Sequence, residues 1–213
     1  MQEYKTIEEN DGIIKTEWEI QKSRFITHLK HVKTEKEAQE FIQEIKKKYF
    51  DARHNCSSYI IGQSSEIQKS SDDGEPSGTA GIPILEVLKK NELSDIVAVV
   101  TRYFGGIKLG AGGLIRAYGK SATLAIESAT VVKKSIFNAY KLTLDYSLID
   151  TFENYLHLNE IRIKDKEYTD NVTFTILLPQ LISDNTIKDI INLTANRCKI
   201  VELEAMYLNI PIK

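Results

Sequence analysis

The spacing of apolar positions along the chain changes several times, and each change marks an element. Ile14–Ile20 and Arg24–Val32 read as two strands, with Gln21-Lys22-Ser23 as the turn between them. Thr34-Glu35-Lys36-Glu37 is a capping box, in which the threonine oxygen takes a free amide and the glutamate reaches back. Behind it Ala38, Phe41, Ile42, Ile45 and Tyr49 fall on one helical face, predicting an amphipathic helix over 35–49. Cys56–Gly62 is β-branched and aromatic enough for a strand, with Glu66–Ser70 as a pairing partner. Pro83 suits the first turn of a short helix that runs to about Lys90. Asp95–Phe104 is apolar without alternation, which predicts a strand covered on both faces. Leu114–Ser128 is helical, with Leu114, Ala117, Tyr118, Ser121 and Ala125 on one side, and Val131–Phe137 is a strand or an extended linker.

The rest of the chain reads as strand Tyr140–Tyr146, a helix capped by Ser147 and ending near Asn159, and a hairpin of Ile161–Thr169 and Val172–Leu178 around Asp170-Asn171. A helix over Asp184–Asn196, with Ile187, Ile190 and Ile191 inward, and a final strand Cys198–Ile210 follow. The order βαββαβ is that of a ferredoxin-like sandwich. The expectation is therefore an α+β protein of two domains, 1–137 and 138–213. Glycine usage changes at the same place: nine of the eleven glycines lie between Gly74 and Gly119, and none follows residue 138.

Charge excludes a polycationic nucleic-acid binder. There are 28 Lys+Arg against 30 Asp+Glu. The first domain carries 20 and 19 of these and the second 8 and 11, so phosphate recognition has to come from a local site. The longest apolar run, Ile96–Val100, is far short of a membrane span, and Met1-Gln2-Glu3-Tyr4-Lys5 has no leader pattern. Two distant cysteines, Cys56 and Cys198, fit neither a disulfide scaffold nor a zinc module and point to the reducing cytoplasm.

The strongest local signal runs from Thr101 to Tyr118. A strand enters a loop containing Gly105, Gly106, Gly110, Gly112 and Gly113, which opens a helix, with Arg102, Lys108 and Arg116 around it. Glycine permits positive φ and close approach, and free amides at a helix start favour an anion. This is the candidate site for a phosphate or a nucleic-acid backbone, with Tyr103, Phe104 and Tyr118 available to stack on bases. The bland alternative is that the glycines serve tight turns and helix-to-sheet packing. Nucleotide motifs fail when counted. A dinucleotide fingerprint starting at Gly110 needs glycine at Ile115, and a P-loop ending at Gly119-Lys120-Ser121 needs glycine at Leu114, so neither NAD nor ATP is supported.

Two further clusters carry chemistry. Asp72, Asp73 and Glu75 in the loop ending at Gly81 supply hard oxygens for Mg²⁺, or form a solvated acidic turn. His54 and Cys56 share one side of a strand, but a nucleophile pair needs contact and an orienting third group, and a buried core thiol is the commoner outcome. His28, His31 and His157 have no ligand-like spacing, and neither Gly-x-Ser-x-Gly nor His-Glu-x-x-His occurs.

Ser23-Arg24-Phe25-Ile26, Arg53-His54-Asn55-Cys56, the segment from Ser71 to Gly81 and the segment from Val99 to Gly110 together resemble the YigZ/IMPACT family, over essentially the whole chain. The two long central segments show no departure from the family pattern. The resemblance implies a first domain like the second domain of small-subunit ribosomal protein five and a ferredoxin-like second domain. It also implies a role near translation or RNA. Eukaryotic relatives restrain the kinase that shuts down initiation, through a partner-binding domain for which this chain is too short. A peptidase label carried by bacterial members finds no metal-ligand spacing here. The leading expectation is thus a cytoplasmic, RNA- or ribosome-associated translation regulator that binds through the glycine loop and has no cofactor. The alternative is an Mg²⁺-dependent phosphohydrolase acting on polyphosphate or nucleotides. A third reading is a module that docks on a translation protein through the second domain's sheet.

Overall fold

The computed structural model describes residues 2–212. It divides into two units: residues up to Lys134 together with those from Asn209 onward, and Ser135–Leu208. The chain is α+β, with β1 (Tyr4–Ile7), β2 (Ile13–Ile20), β3 (Ser23–His31), α1 (Glu35–Lys48), β4 (His54–Ile61), β5 (Ile67–Ser71), α2 (Gly81–Lys90), β6 (Ile96–Tyr103) and α3 (Gly110–Glu127) in order. Next come β7 (Val131–Leu144), α4 (Ile149–Leu158), β8 (Arg162–Tyr168), β9 (Val172–Pro179), α5 (Ser183–Leu193), β10 (Lys199–Glu202) and β11 (Met206–Pro211).

The first unit is an antiparallel sheet in the order β2-β3-β6-β4-β5. Helix α1 covers one face, placing Ala38, Phe41 and Ile45 against Val97 and Val99. Helices α2 and α3 cover the other, where Ile84, Leu88, Ala117 and Tyr118 meet Phe25, Leu29, Ile96, Ala98 and Val100. Central strand β6 therefore buries both of its faces, which is why its sequence lacks alternation. Each buried Val, Leu, Ile or Phe side chain among these contributes about 1.5–3 kcal/mol. The β2–β3 turn has Gln21 and Lys22 at φ +47° and +61°, a geometry matched to the right-handed twist of a two-residue hairpin. In α1 the Thr34 hydroxyl accepts from Glu37 N at 3.2 Å, while the Glu37 carboxylate reaches past the cap to Lys33 N at 2.8 Å.

The second unit has strand order β10-β7-β9-β8, all antiparallel, with α4 and α5 on one face. This is the βαββαβ arrangement of a ferredoxin-like sandwich. Its core joins Leu142, Leu144, Phe152, Leu156, Phe174, Ile176 and Ile190.

Several boundaries differ from expectation, each for a local reason. Val131–Phe137 and Tyr140–Tyr146 form one strand, β7, because nothing between them breaks the extended backbone and both halves find partners. Asp145, not Ser147, caps the turn that enters α4, accepting from Ser147 N at 2.8 Å. The final strand is split into β10 and β11. Residues from Asn209 onward belong to the first unit, where Ile212 N donates to Val131 O at 3.1 Å. Helix α3 starts at Gly110, four residues before Leu114, so Gly110, Gly112 and Gly113 are its first turn and the loop proper ends at Leu109.

Candidate functional site

Strand register assembles the site. Arg102, near the end of β6, lies opposite Phe25 of β3 on one side and opposite His54 of β4 on the other. All three side chains therefore project toward the face covered by α2 and α3. The Arg102 guanidinium lies 5.7 Å from the centre of the Phe25 ring and 5.5 Å from that of Phe104. Its Nη1 donates to Glu75 Oε1 at 2.7 Å, and Tyr118 OH donates to the same oxygen at 2.8 Å. Arg102 and Glu75 are both buried.

The acidic loop is built by its carboxylates. Asp72 accepts from Gly78 N (2.8 Å), Ala80 N (3.0 Å) and Gly81 N (2.8 Å), and so caps the start of α2. Burial raises the Asp72 carboxyl, and the three amides more than offset this, leaving its pKa below the ordinary value. Asp73 accepts from Lys46 Nζ at 2.6 Å and from Asn55 N at 2.7 Å. Glu75 faces Arg102 and Tyr118. The three carboxylates thus address three different sets of donors and are not brought together as a cation site. Among the described residues no group of three His, Cys, Asp or Glu side chains is placed to hold a metal ion.

Cys56 is fully buried, 3.0 Å from Asp72 O and 3.3 Å from Tyr118 OH. Burial pushes its thiol up to about 12, against a smaller opposite effect of the Tyr118 hydrogen bond. It is a core thiol rather than a nucleophile. Tyr118 is likewise fully buried, which removes it from the expected stacking set, and burial raises its phenol well above the ordinary value.

Above this buried network opens a cleft of about 320 Å³, lined by Arg53, His54, Glu75, Pro76, Arg102, Phe104, Lys108, Leu109, Gly110, Ala111 and Leu114. Gly106 and Gly110 have φ of +86° and +71°, so they turn the chain where a side chain would strain it. Gly105 meets a different demand, since a Cβ there would stand 2.0 Å from the Lys22 backbone. No side chain caps the first amides of α3. The start of α3 borders the cleft through Gly110 and Ala111, beside Lys108, and the amides of a helix start carry partial positive charge.

The structure brings Arg102, Lys108 and Gly110 together and leaves other expected residues outside. Tyr103 donates to Asp51 at 2.8 Å and stacks under Arg24, 4.9 Å from its ring centre. Gly112 and Gly113 lie within the first turn of α3, and Arg116 is exposed beyond it, outside the cleft lining. Arg102 is present, but its charge is shared with Glu75. Arg53 and His54 belong to the cleft and were missed as members of it. Both stand in the Arg53-His54-Asn55-Cys56 segment of the family resemblance, but their place beside the glycine loop depends on the register between β4 and β6, which residue spacing does not reveal.

The model of the Impact N-terminal domain matches residues 21–126, and that of a domain of unknown function, DUF1949, matches residues 142–197. The IMPACT family member YvyE of Bacillus subtilis is 50% identical over 189 residues, covering 89% of this chain and 87% of its own. The chain belongs to the IMPACT family. A second IMPACT family member, YigZ of Escherichia coli, is 38% identical over 163 residues, covering 76% of this chain and 80% of its own. The IMPACT homolog of Dictyostelium discoideum is 40% identical over 93 residues, which are 42% of this chain and 26% of that protein. A solved structure described as the crystal structure of a hypothetical protein superposes with a TM-score of 0.58 at 30% identity, covering 96% of this chain and 98% of its own. Among the described residues no helix is long and apolar enough to cross a membrane.

Proposed function

We propose that this IMPACT family member binds single-stranded RNA in the cytoplasm, in association with the ribosome, and acts on translation by binding rather than by catalysis. One observation carries the reading. The cleft joins the side chains of Arg53 and Lys108 and the uncapped start of α3 to the exposed ring of Phe104. Cations and amides suit a phosphate, and an exposed aromatic face beside them suits the attached base. The hydrolase alternative is disfavoured because each of its three carboxylates is already engaged by donors.

The test is fluorescence polarisation with a labelled oligoribonucleotide across a salt series. Each phosphate neutralised contributes about 0.7 log units of affinity per log unit of salt. Arg53→Ala with Lys108→Ala should weaken binding and flatten that slope, and Phe104→Ala should weaken binding without changing it. Binding and salt slope unchanged in the Arg53/Lys108 variant would place the RNA elsewhere on the protein.

A further inference from the structure

His54 differs from every other polar side chain in the cleft. Arg53, Arg102 and Lys108 only donate hydrogen bonds. The Glu75 carboxylate is the one other acceptor among the lining side chains, and it is held by Arg102 and Tyr118. His54 Nδ1 lies 2.9 Å from Asp73 O. A carbonyl oxygen has no proton to give, so Nδ1 carries the hydrogen and the neutral ring keeps its lone pair on Nε2.

The ring is also held in place. Asp73 and Gly74 take φ of +44° and +87°, which turns the Asp73 carbonyl toward the imidazole. The Asp73 side chain is anchored by Asn55 N and by Lys46. A Cβ at Gly74 would stand 3.4 Å from His54 Nδ1 and 3.5 Å from Cε1, so the ring packs directly on the glycine. With Glu75 engaged by Arg102 and Tyr118, the neutral His54 ring is, among the described residues, the lining side chain left to accept a hydrogen bond.

A lining of donors serves the phosphate. An unengaged side-chain acceptor among them calls for a ligand group that donates a hydrogen bond close to that phosphate. The ribose 2′-hydroxyl is such a group, and deoxyribose lacks it. We infer that His54 Nε2 accepts a hydrogen bond from a ribose 2′-hydroxyl and makes the cleft select RNA over DNA. This rests on the RNA-binding reading above and adds to it the group by which the polymer is recognised.

The experiment uses the full chain and three labelled oligonucleotides of one sequence: RNA, DNA and 2′-O-methyl RNA. Wild type should bind RNA about 3- to 10-fold more tightly than either of the others, the worth of one hydrogen bond. Methylation keeps the 2′-oxygen and replaces its proton with a methyl group, so this comparison removes the donor without altering the protein. His54→Ala should bring RNA down to the DNA affinity and leave DNA binding unchanged. Equal binding of RNA and DNA by wild type overturns the role of His54 and leaves the cleft a nucleic-acid site. An RNA preference that survives in His54→Ala, or an equal loss on both polymers, also overturns it. Binding of neither polymer overturns the function proposed above and this inference with it.

Discussion

Arg102 Nη1 and Glu75 Oε1 lie 2.7 Å apart, with side chains only 7% and 4% exposed, and Tyr118 donates to that same carboxylate oxygen. The pair ties β6 to the acidic loop and forms the floor of the cleft. Burying two charges is tolerated because each faces the other, but removing one partner leaves the second uncompensated. Glu75→Gln should therefore cost about 3–5 kcal/mol of stability. Glu75→Gln combined with Arg102→Met should recover much of that loss, since no unpaired charge remains. Urea denaturation of wild type, Glu75→Gln, Arg102→Met and the double variant measures both, and strictly additive losses would contradict the pairing argument.

Acid should weaken the first unit through His28. This residue is 1% exposed, with Nε2 3.2 Å from Tyr49 OH. Burial, helped by Lys48 and Lys15, lowers its pKa to about 4. The unfolded chain, with an ordinary histidine, binds more protons between about pH 6.5 and pH 4, so stability falls as pH drops through that window. The loss attributable to His28 between pH 7 and pH 5 is about 2 kcal/mol. His31, lowered mainly by burial, adds in the same direction. Urea titrations at the two pH values should show a smaller difference for His28→Gln than for wild type.

Two glycines of the stretch from β6 into α3 should respond differently to alanine. At Gly105 the new Cβ would collide with the Lys22 backbone, so Gly105→Ala should lose about 1–3 kcal/mol or more. At Gly112 the nearest atom is Arg116 Nη1, 3.9 Å away, and the residue is helical. Gly112→Ala should be neutral or stabilising by up to about 1 kcal/mol. Thermal melts decide, and a stable Gly105→Ala protein would contradict the close approach.

The cysteines should separate by reactivity. Burial pushes Cys198 up to about 11, and it is half-buried, whereas Cys56 is fully buried with its thiol at about 12. Ellman's reagent should modify Cys198 slowly in the native protein and Cys56 only in denaturant. Peptide mapping after partial labelling identifies the site, and early labelling of Cys56 would disagree with its burial.

Lys108 and Arg116 should contribute unequally to RNA affinity. Lys108 lines the cleft, and Arg116 is exposed further along α3 and outside the lining. Lys108→Ala should flatten the salt dependence of binding, while Arg116→Ala should change it little. Equal effects would move the phosphate path along the helix.

The elements were legible wherever local chemistry dominates. The Thr34 cap, the amphipathic face of α1 and the uninterrupted apolar run of β6 each announce themselves within a dozen residues, and the ferredoxin-like order follows from strand and helix alternation. Strand β1 was not legible, because its four residues acquire strand geometry only by pairing with the first residues of β7. The early start of α3 was also hidden. Three glycines in four positions read as a loop, and the packing of Leu114, Ala117 and Tyr118 on the sheet overrides their poor propensity.

The same division runs through the site. From the sequence alone come the two-part α+β organisation, the family resemblance, the glycine-rich turn at the end of β6 and the absence of nucleotide-binding motifs. Local spacing suffices for these, since helix period, strand run and turn chemistry act over a few residues. Tertiary structure decided which charges remain available. It gave Arg102 to Glu75 and each acidic-loop carboxylate to its own donors, buried Cys56 and Tyr118, left Arg116 outside, and brought Arg53 and His54 to Lys108. Pairing between distant charges depends on strand register and burial, and neither is encoded in the spacing of residues along the chain.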